Sequence, residues 1–239
     1  MTTAQPISPA SEASPSLSWT LDLEADALAT SQRIYLVRHG ETDFNAEGVV
    51  QGSGVDSSLN QAGRAQAEQL YQHYRYVPFE RILTSGLQRT QQTVAPFAER
   101  NGYSIQPYVG FNEMAWGIFE GVRHEGEVEI AFRETLERWA RGEVHYAVPG
   151  GESPVAVADR TVATLSANIN LFPTGDILIC THGRAIRILL CALLGYDLRH
   201  MQTFRHRNTA VNLLRRSGTQ VIAERLNDLS HLTHPDRAR

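Results

Sequence analysis

Two histidines in this chain stand where a short apolar run ends and a glycine follows: Leu36-Val37-Arg38-His39-Gly40 and Ile179-Cys180-Thr181-His182-Gly183. A histidine at a strand end, before a glycine that lets the backbone turn sharply, can hold its ring with one nitrogen bonded to main chain and the other aimed outward. That posture suits a nucleophile. A lone histidine at such a junction is more often a satisfied structural residue, so His39-Gly40 by itself carries little weight. Two arginines change the balance. Arg38 directly precedes His39, and Arg89 lies in Thr84-Ser85-Gly86-Leu87-Gln88-Arg89-Thr90, where a helix starts just beyond a second strand.

Other chemistry-bearing residues have plainer readings. Cys180 and His182 point to one side of a strand, but no third and fourth ligand accompanies them at a recognisable spacing. Cys180 is therefore read as packing, and no metal site is expected. His200 and His206, among Arg199, Arg205 and Arg207, form a basic loop that either touches an anion or is solvated; the solvated reading is preferred. Met114, Trp116 and Phe119 cluster around Glu113 and read equally as pocket wall or core.

The elements that must position these residues alternate in type. Residues 33–37, 79–83, 103–109 and 175–180 read as strands, the last being the most strongly apolar. Helices are expected over residues 60–76, 87–100, 125–141, 153–171 and 184–194, with Asn60 and Ser153-Pro154 as start signals and Asn101-Gly102 as a stop. Residues 210–214 and 220–225, around Ser217-Gly218, read as a hairpin. Strands alternating with helices of this length predict an α/β fold, a mostly parallel central sheet with helices on both faces. Such sheets place ligands at the carboxyl ends of their strands, where both histidines sit.

Composition bounds the rest. With 239 residues, 42% of them hydrophobic, residues 31–239 can close one core as a single domain. Residues 1–30, rich in Thr, Ser, Ala and Pro at the start, read as a flexible tail, with Trp19, Leu21, Leu23 and Leu28 as side chains able to dock part of it. A net charge of −4 argues against general binding to nucleic acid or an anionic membrane. Two cysteines, both in apolar runs, and no signal-like or membrane-spanning run make the cytoplasm the expected location. Oligomeric state is not legible.

The motifs gain specificity from their order. Arg38-His39-Gly40-Glu41-Thr42, Asn45, Gln51-Gly52, Ser85-x-Leu87-x-Arg89 with Thr93, Glu113 before Gly117 and Glu120-Gly121, Pro149-Gly150-Gly151-Glu152-Ser153 and Thr181-His182-Gly183 follow one another over roughly residues 33–214. In this order they resemble the histidine phosphatase superfamily, the group that includes cofactor-dependent phosphoglycerate mutase. The resemblance implies a three-layer phosphoglycerate mutase-like fold and a phosphohistidine intermediate on His39. It assigns Arg38, Arg89 and His182 to the phosphoryl oxygens, with Asn45, Gly52 and Gly183 completing the phosphate-binding set. Glu113 is implied as the acid that protonates the leaving alkoxide and then, as a carboxylate, takes a proton from the attacking water. No cofactor and no metal is implied, and the partner is a small phosphate ester. The roles make physical sense: phosphoryl transfer needs in-line positioning and stabilised equatorial oxygens, and guanidinium forks supply both. Neighbouring positive charge should also disfavour protonation of His39.

Three functions fit the motif set: a phosphatase, a mutase, and a phosphate-binding module without turnover. Residues 120–143 hold four arginines against seven glutamates, which lacks the cationic excess suited to a small multi-anionic sugar acid and favours the phosphatase. The presence of both His39 and Glu113 disfavours the silent module. Ser58 and Asn60 stand where many relatives carry Pro and Thr; Asn still caps a helix, whereas Ser58 gives up the rigidity of Pro.

Overall fold

Strand β1 (Ser31–Arg38) divides its side chains between two cores. Ile34 and Leu36 face one, Tyr35 and Val37 the other, as the two-residue period of a strand requires. Strand β4 (Asp176–Thr181) runs parallel beside it and alternates in the same way, with Ile34 opposite Ile177, Leu36 opposite Ile179, and Val37 opposite Cys180. Leu36 and Ile179 are fully buried, each contributing about 1.5–3 kcal/mol through removal from water.

The computed structural model describes residues 17–233. In chain order the elements are helix α1 (Ala25–Leu28), β1, α2 (Asp43–Glu47), α3 (Gln61–Tyr74), β2 (Phe79–Thr84), α4 (Gln88–Asn101), β3 (Ile105–Pro107), α5 (Gly126–Ala140), α6 (Pro154–Leu171), β4, α7 (Gly183–Leu194), β5 (Val211–Ser217) and β6 (Gln220–Asp228). Helices α3 and α4 cover one face of the sheet with Leu70, Tyr71, Tyr74, Val94 and Phe97; α6 and α7 cover the other with residues such as Leu165, Ile169, Ile186 and Leu189. The result is the expected three-layer α/β arrangement.

The sheet order is β3-β2-β4-β1-β5-β6. Here the expectation of a mostly parallel sheet needs correction. The pairings among β3, β2, β4 and β1 are parallel, but β5 pairs antiparallel with β1 and β6 antiparallel with β5, so the sheet is mixed. The reason lies after α7: the chain runs back to the carboxyl end of β1, where His206 and Asn208 bond to Arg38 and His39, so β5 enters the sheet from that end and runs against β1, and the tight turn after it returns β6 antiparallel in its turn. Short helix α2 was not expected, and β3 is shorter than the predicted run.

Residues 1–16 of the expected tail lie outside the described residues. Residues 17–30 lie along α6, with Leu21 and Ala27 buried and Leu28 exposed. Trp19 Nε1 donates to Asp159 Oδ1 at 2.8 Å, and the buried Arg216 donates to Ala27 O at 2.8 Å.

The parallel register sets the site. Arg38 stands opposite Thr181 and Thr84 opposite Cys180, so β1, β2 and β4 end within one residue of one another. Their next residues, His39, Ser85 and His182, therefore emerge side by side.

Candidate active site

His39 leaves β1 with its main-chain N–H bonded to Thr181 O at 2.9 Å, and its ring Nδ1 lies 2.7 Å from Gly40 O. A carbonyl only accepts, so Nδ1 carries the proton and Nε2 keeps its lone pair. The turn is clamped from both sides. Gly40 N donates to Thr93 Oγ1, and Asn208 Nδ2 donates to His39 O at 3.0 Å. Burial, then Arg89 and Arg38, hold the His39 imidazole well below its ordinary pKa, so the ring stays neutral.

Arg89 is fully buried in the first turn of α4. Its fork donates to His182 Nδ1 (3.2 Å), Val55 O (2.6 Å) and Gly52 O (3.3 Å). His182 caps the start of α7, with Nε2 at 2.8 Å from Ser85 Oγ and its ring centroid 5.2 Å from that of His39. Burial and Arg89 hold His182 neutral as well. Burial lowers Arg89 and Arg38 to about 10, which leaves both cationic at neutral pH.

Glu113 approaches from the loop after β3. Its carboxylate accepts from the first-turn N–H groups of α7, Oε2 from Arg184 N at 3.1 Å and Oε1 from Ala185 N at 3.0 Å. Those donors are the ones a helix leaves unpaired at its start. Arg160 on α6 braces this loop, donating to Gly110 O, Asn112 O and Glu113 O, and pairing with Glu152 at 2.8 Å. Glu152 in turn accepts from Ala115 N.

These groups meet at a cavity of about 170 Å³, whose wall includes Arg38, His39, Asn45, Glu113 and Gly183. Asn45 Oδ1 accepts from Thr42 and from Asn208 Nδ2, which turns its amide NH₂ away from those donors. Arg89 and His182 lie behind the wall, both fully buried, and reach the site through contact with His39 and Ser85. Gly52 serves through its carbonyl, which holds Arg89, and through its missing side chain: a Cβ there would lie 1.8 Å from Glu120 Oε1.

Three residues of the site were not singled out for it in the sequence. Arg184 lines the cavity from the second position of α7; its signal was an arginine in a helical run that is apolar apart from it and Arg187. His206, expected to be solvated, lines the cavity too, with its Nδ1 3.2 Å and its carbonyl 2.6 Å from Arg38 Nη1. Burial and Arg38 push its ring down to about 2. Asn208 had no legible signal. Of the apolar cluster, Trp116 lines the cavity, whereas Met114 and Phe119 belong to the core. Cys180 is buried, and burial pushes its thiol up, as packing requires.

Comparison with known proteins agrees with this geometry. The model of the histidine phosphatase superfamily (branch 1) matches residues 34–229. The chain is 32% identical over 212 residues to the "probable phosphoglycerate mutase GpmB" of Cronobacter sakazakii, covering 85% of this chain and 96% of that one. Among solved structures, YhfR of Bacillus stearothermophilus superposes with a TM-score of 0.76 at 25% identity, covering 84% of this chain and 98% of that one. The α-ribazole phosphatase of Shigella flexneri does so with a TM-score of 0.71 at 25% identity, covering 82% and 96%. With its paired strand-end histidines, buried arginine fork and matching family model, this chain belongs to the histidine phosphatase superfamily.

Proposed function

We propose that this chain is a metal-independent phosphomonoester hydrolase that works through a phosphohistidine on His39, with a small phosphate ester as substrate. One observation carries the reading. The Nδ1–H···O bond to Gly40 leaves Nε2 unprotonated on a ring that lines the cavity, with Arg38 and Glu113 in the same wall. Nε2 attacks phosphorus and the ester P–O bond breaks, while Glu113 gives its proton to the departing alkoxide. Water then attacks the phosphohistidine and yields its proton to the Glu113 carboxylate as the P–N bond breaks. Arg38 and Arg89, with His182 between Arg89 and the nucleophile, balance the charge on the phosphoryl oxygens.

The name of the Cronobacter relative favours a mutase as the second reading. Against it, all four arginines of residues 120–143 pair with surface acids: Arg123 with Glu47, Arg133 with Glu137, and Arg138 and Arg141 with Glu143. None of them lines the cavity. The likeness to the Shigella α-ribazole phosphatase supports the hydrolase.

The test is turnover of para-nitrophenyl phosphate in excess chelator, beside His39→Ala. Chelator-resistant hydrolysis that disappears in the variant is expected. Hydrolysis that survives His39→Ala, or that stops with chelator, overturns the reading. Phosphoryl exchange between phosphoglycerates on addition of 2,3-bisphosphoglycerate, without net hydrolysis, selects the mutase.

A further inference from the structure

Arg184 is the second residue of α7, is 8% exposed, and stands in the cavity wall. The rest of that helix is apolar apart from Arg187, one turn on. Burying a guanidinium in such surroundings is costly unless its donors are met. Its main-chain N–H is used by Glu113. Its side chain makes no hydrogen bond or ion pair among the described residues, and Nη1 is buried without a partner. The guanidinium lies 5.4 Å from the ring centroid of Trp116 and 5.7 Å from that of Trp139. Aromatic faces stabilise a cation but satisfy none of its N–H donors.

Its surroundings add positive charge. Arg187 repels it most, and Glu113 is the acid that attracts it. Burial and Arg187 hold Arg184 down to about 9, so it is cationic at neutral pH. Arg38 enters the same cavity and is held by His206, which closes on the start of α7 because Gly183 has no side chain: a Cβ would stand 3.0 Å from His206 Nδ1. A phosphoryl group at His39, with Arg38 in the wall beside it and Arg89 behind, does not account for this further cation.

We propose that Arg184 is a specificity-determining residue that binds a second anionic group, carboxylate or phosphate, carried by the phosphate ester whose phosphoryl group sits at His39. This rests on the reading of the His39 cavity as a phosphoryl site. Arg184 and His39 line the same cavity, so the two anions are a short reach apart, and a volume of about 170 Å³ suits a skeleton of a few carbon atoms between them. Trp116 and Phe132 supply the apolar wall for that skeleton.

Calorimetric titration with three unreactive phosphonates tests it: propylphosphonate, 3-phosphonopropionate, which adds a carboxylate, and propane-1,3-diphosphonate, which adds a second phosphonate. The parent protein is expected to bind at least one of the two diacids about tenfold or more tightly than propylphosphonate, and the preferred diacid identifies the second anion. In Arg184→Gln, and in Arg184→Met, which keeps aliphatic length beneath the tryptophans, that ratio is expected to collapse toward one. A purely structural role lowers affinity for all three ligands alike and leaves the ratio intact. A retained ratio in the folded variants, or a parent that binds neither diacid more tightly than propylphosphonate, overturns the proposal. Because no ligand is turned over, a failure of chelator-resistant hydrolysis would be seen separately and would count against the hydrolase reading alone.

Discussion

Arg89 donates from Nε to Nδ1 of His182 across 3.2 Å, and the tautomer of the second histidine follows from that bond. A guanidinium can only donate, so Nδ1 accepts and Nε2 holds the proton, directed at Ser85 Oγ 2.8 Å away. Ser85 Oγ is itself fixed, accepting from Leu87 N and bonded to Thr90 Oγ1. The two histidines therefore have opposite protonation patterns: His39 is protonated on Nδ1 with Nε2 free, and His182 on Nε2.

Arg89→Lys keeps the charge and removes the fork. One ammonium cannot serve His182 Nδ1, Val55 O and Gly52 O together. We expect kcat/KM on an aryl phosphate to fall about 10²- to 10³-fold, the scale of losing one preorganised oxyanion donor. Stability should drop by about 1–3 kcal/mol as buried carbonyls lose their donors. Steady-state kinetics and urea unfolding read both, and parental values would show that a point charge suffices.

Sequence legibility tracked distance along the chain. Arg38, His39 and Asn45 were readable because they fall within eight positions, and His182-Gly183 because it repeats the strand-end pattern. His206 was misread as solvated because its partner Arg38 is 168 positions away, and nothing local marks the contact. Arg160 escaped notice for the same reason: its role is to gather three carbonyls about 50 positions upstream. The parallel part of the sheet followed from strand-helix alternation. The antiparallel edge did not, because a hairpin pattern specifies its own two strands but not which edge it joins.

Gly63, at the third position of α3, sets helix propensity against contact. Propensity alone favours Gly63→Ala by about 1 kcal/mol. A Cβ there, however, would lie 2.1 Å from Glu41 O and 2.8 Å from Glu41 N, and a Cβ on Gly40 would likewise lie 2.7 Å from Gly63 O, so the two backbones meet closely. Those are backbone atoms that cannot swing aside. We expect Gly63→Ala to destabilise by about 1–3 kcal/mol, the usual cost of overpacking, and to disturb the Gly40 carbonyl that orients His39. A stabilised variant in urea would show that the turn yields.

Arg160→Ala should separate positioning from binding. Without the guanidinium, Gly110 O, Asn112 O and Glu113 O lose their donor and Glu152 loses its ion-pair partner. Glu113 would then sit on a looser loop, and a misplacement of about 1 Å costs as much as 10²-fold in rate. The expected signature is a fall in kcat with little change in KM, together with faster amide exchange over residues 108–117. Arg160→Lys should not restore kcat, since one ammonium cannot reach three carbonyls and a carboxylate. Unchanged exchange with lowered kcat would assign Arg160 a direct part in the chemistry.

Buried neutral histidines predict how stability responds to acid. Burial, aided by neighbouring arginines, holds His39 and His182 well below their ordinary values, pushes His206 down to about 2, and, with His73 beside it, His231 to about 4. Between those values and about 6.5 the unfolded chain binds protons that the folded chain refuses. Stability therefore rises with pH in this window: it is fully present above about 6.5 and is lost as pH falls below it. Each such histidine steepens the loss by at most about 1.4 kcal/mol per pH unit. Urea midpoints measured from pH 7 to pH 5 should fall, and His231→Asn, remote from the cavity, should flatten the curve. Over the same range His39 stays neutral in the folded protein, so kcat/KM should show no break near 6.5 from loss of the nucleophile. Flat stability from pH 7 to 5 would mean that these rings take up protons while folded, and the neutral Nε2 required of His39 would then need another source.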